Sequence, residues 1–169
     1  KRGQGWIVSR STLKHERNLI GSSLLSERTL DGAIFLAQAL SLGGQPAIKD
    51  PIIRGRLVEL ETKVLANKYH GYRLLTMQAR GEDPGLAGLV TKLYGTTLGY
   101  DVARLAMDIL ADRGMLAPGE PEAPAMGMFV TAYMWSLGVL IAGGTANIQR
   151  NVIAERGLGL PRDPAVQRR

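Results

Sequence analysis

Two Asp-Pro pairs, Asp50-Pro51 and Asp83-Pro84, each head a long stretch with apolar residues at helical spacing. This punctuation confines the chain to helices joined by short connections. Aspartate accepts hydrogen bonds from the free N–H groups of a first helical turn, and proline fits the first helical position, where an N–H is not needed. After Pro51, Ile53, Leu57, Leu60, Val64 and Leu75 mark an apolar stripe that Gly81 ends. After Pro84, Leu86, Leu89, Val90, Leu93, Leu105 and Ile109 mark another. Upstream, Leu13, Ile20, Leu24, Leu30, Ile34 and Ala37 recur near the same spacing, which predicts a first helical region from Trp6 or Ser11 to Leu42. Gly43-Gly44-Gln45-Pro46 stops it. Three prolines within Ala117–Pro124 forbid a helix there. A fourth helix is predicted over Ala125–Leu140, Gly143-Gly144 breaks it, and Thr145 caps a fifth over Ala146–Arg156. The β-branched alternation of a strand is absent. The expected fold is all-α: an antiparallel bundle of four long helices plus a short C-terminal helix, over residues 11–160. Residues 1–10 form a lead-in, and 161–169, with Pro161 and Pro164, an irregular tail.

Composition narrows the function classes. A chain of 169 residues with 45% hydrophobic and 21% charged residues is an ordinary single globular domain. It contains no cysteine, which excludes a disulfide scaffold, a thiolate metal site and cysteine catalysis. The same absence fits a reducing compartment, so a cytoplasmic location is expected. With only His15 and His70, no metal site is expected. The net charge is +6, but +4 of it sits on the two ends, at Lys1, Arg2, Arg162, Arg168 and Arg169 offset by Asp163. Aromatics are 5%, too few for a base-stacking platform, so no nucleic-acid partner is expected. The most apolar stretch, Phe129 to Ala142, is interrupted by Thr131 and Ser136 and falls short of the roughly 20 residues that cross a bilayer, so no membrane partner is expected either. The chain begins without Met and reads as a piece of something longer.

Three features invite chemistry. Glu16 lies three residues after Leu13 and four before Ile20, near the apolar seam of the first helix. A carboxylate held in a poorly solvated cleft has a raised pKa and serves as a general base. On spacing alone, a solvated helix face beside Arg17 is the commoner outcome. The second feature is Gly143-Gly144-Thr145-Ala146-Asn147-Ile148-Gln149-Arg150-Asn151, in which two glycines allow a backbone to approach a ligand closely. An ordinary helix cap has the same pattern. The third is the fourth helix, where Met126, Met128, Phe129, Tyr133, Met134 and Trp135 form either core or the lining of an apolar pocket. Glycines inside the helices, at 21, 32, 55, 71, 88, 95 and 99, read first as close helix approach and second as room for a flat ligand.

Together and in this order, these residues resemble the C-terminal helical domain of acyl-CoA dehydrogenases. The closing stretch GGTANIQRNVIAERGLGL, Gly143 to Leu160, is similar to that family's last motif. Gly5-Trp6 followed by Leu13-x-x-Glu16-Arg17 is similar to its passage from a β-domain into the bundle. The resemblance implies a flavin-dependent α,β-desaturation of an acyl-CoA thioester with FAD as cofactor. It places Gly144, Thr145 and Asn147 near the flavin. Many members carry the catalytic glutamate just before the Gly-Thr pair, a place held here by Gly143. A minority carry it on the first long helix before an arginine, and that residue here is Glu16. One carboxylate suffices in such a cleft, since a second would raise the pKa of the first.

Two departures bear on partners. The family has an arginine and a Phe-Gly after the first long helix, where this chain has Ser41-Leu42-Gly43-Gly44-Gln45. The family also has a glutamine and paired glycines after the third helix, where this chain has Asp108 to Gly114 without them. Both elements serve the flavin of a neighbouring subunit. The resemblance therefore implies a homo- or hetero-oligomer with related subunits, a heterotetramer foremost, in which a different subunit supplies the missing contacts. Actinobacterial dehydrogenases of steroid side-chain CoA thioesters resemble this arrangement. The alternatives are a non-catalytic partner subunit and a helical interaction module of the same fold.

Overall fold

The computed structural model describes residues 3–5, 9 and 20–162. Among the described residues the α-helices are α1 (Ser23–Ala39), α2 (Pro51–Ala79), α3 (Gly85–Leu110), α4 (Met128–Ile141) and the short α5 (Ala146–Val152). Short connections fold them back on one another as the expected bundle. Helix α3 is its axis and touches α1, α2, α4 and α5.

The start of α2 follows the Asp-Pro logic, whereas α3 starts one residue later than expected, with Pro84 at the N-cap, which makes no side-chain cap bond. The Asp50 carboxylate accepts from Ile52 N–H at 2.8 Å and Ile53 N–H at 3.1 Å. The Asp83 carboxylate accepts from Gly85 N–H at 3.1 Å. Behind these helix starts, Ile53, Leu57, Leu60 and Val64 of α2 bury against Leu30, Ala33, Leu36 and Ala37 of α1 and Leu98, Val102, Leu105 and Ile109 of α3. Phe129 of α4 closes the core, its ring edge against Gly32 of α1. The Gly43-Gly44 stop becomes a tight hairpin, β1 (Ser41–Leu42) antiparallel to β2 (Gln45–Pro46).

Three further expectations change. The first helix is interrupted: Ile20 is helical, Gly21 and Ser22 are not, and α1 begins at Ser23. The cause is tertiary. The Gly21 backbone passes directly against Gly95 of α3. The Gly21 carbonyl also accepts from the buried Asn67 Nδ2 of α2 at 3.3 Å instead of continuing a helical ladder. Second, α4 starts three residues later than expected, because Ala125 and Met126 take positive φ of 50° and 53° in a short turn (Pro124–Gly127). The stretch Pro124–Ile141 is apolar enough in composition to cross a membrane, with mean hydropathy 1.5, and 17% of it is buried. Its continuous α-helix is only 14 residues, about 21 Å at 1.5 Å per residue, against roughly 30 Å of bilayer hydrocarbon. Third, α5 stops at Val152, and Ile153–Gly157 continues as a wider π turn.

The apolar stripes are also only partly core. Leu24 and Leu75 are exposed, as are Met128, Met134 and Trp135 on α4. Only Phe129 and Ser136 of α4 are buried. The Met and aromatic stripe thus divides: Phe129 joins the core, Met128 and Trp135 line a cavity against α1 and α3, and Met126 and Met134 are exposed.

Candidate functional site

The Gly143–Thr145 turn joins α4 to α5, and the bundle holds it from inside. Lys92 of α3 is 2% exposed. Its Nζ donates to Leu140 O at 2.9 Å and to Gly144 O at 2.8 Å. Leu140 O belongs to the last turn of α4, whose carbonyls lack helical partners, and an ammonium there also complements the negative end of the helix dipole. From the other side, Gln149 of α5, also 2% exposed, donates Nε2 to Gly143 O at 2.9 Å. The Thr145 hydroxyl caps α5 as expected and accepts from Ile148 N–H at 3.5 Å.

Gly144 is fixed as glycine by this arrangement. Its φ of +106° is one that side-chain-bearing residues rarely adopt, and a Cβ there would sit 2.8 Å from Gln149 Nε2. Gly143 and Gly144 are half-buried, while Thr145 and Asn147 are exposed. The turn therefore carries no side chain at Gly143 and Gly144, and two accessible polar side chains flank it. Asn147 Oδ1 accepts from Arg150 Nη1 at 3.1 Å. Arg150 thereby orients Asn147 along α5.

A half-open apolar cavity of about 370 Å³ lies between α1, α3 and α4 and runs along α4 as far as Val139. Ile20, Ser26, Gly95, Gly99, Trp135 and Val139 are among its walls. The glycine question resolves position by position. Gly95 serves close helix approach and also faces the cavity, Gly99 leaves ordinary contact distance to Ser26, and Gly55 faces open space. A second groove of about 310 Å³ between α1 and α2 is more polar. Two of its polar side chains are already engaged. Lys68 pairs with Glu27 at 2.8 Å, and His70 Nε2 lies 3.2 Å from Thr91 Oγ1. Among the described residues no three His, Cys, Asp or Glu side chains converge as a metal site would need.

The structure brings Gly144, Thr145 and Asn147 together on one turn and helix start. Glu16, with Leu13 and Arg17 of the lead-in motif, lies outside the described residues. Sequence reasoning missed Lys92 and Gln149. A signal for Lys92 was present: it lies three residues after Leu89, seven before Gly99 and fourteen before Ala106, on the face of α3 that turns inward. A lysine in that register needs buried acceptors.

Residues 3–158 match the acyl-CoA dehydrogenase C-terminal domain. The chain belongs to the acyl-CoA dehydrogenase family, as that C-terminal helical domain. It is 35% identical over 165 residues to acyl-CoA dehydrogenase IpdE1 of Mycobacterium tuberculosis, an alignment covering 95% of this chain and 40% of the relative. The fold is similar to that in the M. tuberculosis ChsE4-ChsE5 complex, with TM-score 0.79 and 28% identity over 94% of this chain and 42% of that one. It is also similar to the Tcur3481-Tcur3483 steroid ACAD, with TM-score 0.79 and 25% identity over 94% of this chain and 40% of that one. The chain thus spans about two fifths of the length of these relatives.

Proposed function

We propose that this chain is the C-terminal bundle of a flavin-dependent acyl-CoA dehydrogenase that introduces an α,β double bond into an acyl-CoA thioester. The observation that carries the reading is the Gly143–Thr145 turn. It is bare of side chains at Gly143 and Gly144, flanked by exposed Thr145 and Asn147, and held rigidly from the core. Such a turn lets a flat ring approach the backbone, so the residues present fit FAD, with Gly144, Thr145 and Asn147 as its contacts. Bound FAD supplies the acceptor for the hydride that leaves the β-carbon. Glu16 takes the α-proton on its carboxylate, so the substrate loses one proton and one hydride and gains one C=C bond. Gly143 brings no second carboxylate, which spares Glu16 a like-charge repulsion.

The acyl group belongs in the cavity between α1, α3 and α4, where Gly99 and Ala103 leave room for a bulky, ring-bearing group. The steroid ACAD among the similar structures supports that class. The assembly is heteromeric on this reading. The Ser41–Gln45 hairpin carries no arginine, and the Asp108–Gly114 stretch carries no glutamine with paired glycines, so a related subunit supplies those contacts to a flavin. Similarity to a complex of two different chains supports it. Co-expression with related subunits and a count of flavin per chain tests this point, and a fully flavinated homo-oligomer would remove it.

The same two departures favour a second reading, a non-catalytic partner subunit. Glu16→Gln in the complete assembly separates the two. General-base removal costs roughly 10²–10⁴-fold, so turnover is expected to fall at least a hundredfold while flavin content holds. Unchanged turnover would locate the base in another residue or subunit.

A further inference from the structure

The same turn has a feature that the flavin-contact assignment leaves unused: two wholly buried polar side chains end on its carbonyls. We propose that Lys92 and Gln149 are positioning residues for the reaction, holding the Gly143–Thr145 turn in the one orientation that presents its outward backbone to the cofactor. The inference rests on the acyl-CoA dehydrogenase reading for its consequence, and on this chain's geometry for its cause.

Peptide planarity fixes which way the rest of the turn faces. In a trans peptide unit the carbonyl and the following N–H point in opposite directions, and no cis peptide occurs among the described residues. Lys92 Nζ draws the Gly144 carbonyl inward, toward α3. The Thr145 N–H, in the same peptide unit, therefore faces away from α3. Gln149 draws the Gly143 carbonyl to itself, and the Gly144 N–H of that unit turns back to Ile141 O at 3.2 Å. Two consecutive peptide planes are thus set by two side chains together with the backbone bond to Ile141 O. Glycines at 143 and 144, with φ of 64° and 106°, have the widest choice of backbone conformations, so without the clamp this turn would sample several orientations.

Lys92 also couples the turn to the cavity. It lies one helical turn from Gly95 and Thr96, which line the cavity wall, and it grips Leu140 O, next to the lining residue Val139. The floor of the acyl cavity and the turn under the cofactor are therefore tied to one side chain. The role is to hold geometry, and neither Lys92 nor Gln149 exchanges a proton with substrate.

The test uses the full-length protein in its complete assembly, with Lys92→Met, which keeps the stem and removes every donor, and Gln149→Met. Leu105→Ala, a fully buried site on α3 remote from the turn, is the control for plain loss of stability. Hydrogen exchange is read on peptides covering Ala142–Asn147. Steady-state kinetics and the flavin absorption spectrum are read in parallel. The expected result for both clamp variants is at least tenfold faster exchange confined to the turn, a kcat lowered at least tenfold with KM for acyl-CoA within threefold, and a shifted flavin spectrum. Leu105→Ala is expected to reproduce none of the three. Unchanged exchange at the turn, or the same kcat loss in Leu105→Ala, overturns the proposal. Should Lys92→Met be recovered unfolded, Gln149→Met decides by the same readings. A wild-type assembly without flavin or turnover would refute the functional reading and with it the positioning role, even where faster exchange showed that the clamp exists.

Discussion

The same substitution, glycine to alanine, is expected to move stability in opposite directions at Gly95 and Gly55, and the structure supplies both magnitudes. In a helix interior alanine is favoured over glycine by about 1 kcal/mol, because glycine gives up more backbone freedom on folding. Gly55 of α2 has nothing within 4 Å of where a Cβ would sit. Gly55→Ala should therefore stabilise by roughly 0.5–1 kcal/mol. Gly95 of α3 meets the Gly21 backbone, with the Gly21 carbonyl carbon at 2.7 Å and Cα at 2.8 Å from the added Cβ, and the Gly21 oxygen nearer still. These are main-chain atoms with no rotamer to give, so α1 must retreat from α3 by several tenths of an ångström or more. Overpacking of this kind costs about 1–3 kcal/mol. The retreat also pulls Gly21 O from Asn67 Nδ2, and a buried amide left unpaired costs about 1–3 kcal/mol more. Less the helix-propensity gain, Gly95→Ala should destabilise by roughly 1–5 kcal/mol. Equilibrium urea unfolding of the full-length protein, followed by far-ultraviolet circular dichroism, compares the two midpoints. Midpoints that move in the same direction, or a Gly95→Ala midpoint equal to wild type, would refute the close crossing of α1 and α3.

Two further outcomes are expected. Asp50→Ala removes the acceptor from Ile52 N–H and Ile53 N–H; a lost N-cap costs about 1 kcal/mol, measurable in the same urea titration, and Asp50→Ser should restore most of it. Glu27 is held below its ordinary carboxylate value of 4.5 by its hydrogen bond from Lys68, then that from Ser23, against a desolvation that raises it. A lowered folded-state pKa contributes stability above the unfolded-state value, lost as pH falls through the folded-state value. The stability gap between wild type and Glu27→Gln should be small, since the pair is solvent-screened, present at pH 7, and closed in acid below the ordinary carboxylate range. A gap that widens toward low pH would contradict that sign.

What the sequence disclosed, and what it withheld, divides along a physical line. Local chemistry was legible: Asp50 begins α2, Gly43-Gly44 turns the chain, and Thr145 caps α5, because each acts on atoms a few residues away. Periodicity identified Ile53, Leu57, Leu60 and Val64 correctly as core, yet gave Leu24, Leu75 and the α4 stripe the same weight, although these are exposed in this chain. Spacing records that a face is apolar and carries no record of what covers it. The break at Gly21 was hidden for the opposite reason, since its causes, Asn67 and Gly95, are remote in sequence.

The buried polar residues hold the missing information. Lys92, Gln149 and Asn67 are each at most 3% exposed, and each donates to a glycine carbonyl, of Gly144, Gly143 and Gly21 respectively. A buried donor must find an acceptor. Helical carbonyls are already taken, so the acceptors left are those at the ends and breaks of helices. A buried hydroxyl can turn back on its own helix, as Thr91 and Thr96 do on Ala87 O and Lys92 O, whereas the longer Lys92 and Asn67 side chains reach a place where another helix stops. In this bundle one such place is the interruption that lets α1 cross α3. The other is the glycine turn between α4 and α5, where the proposed chemistry lies, and it is pinned from two sides, by Lys92 and by Gln149.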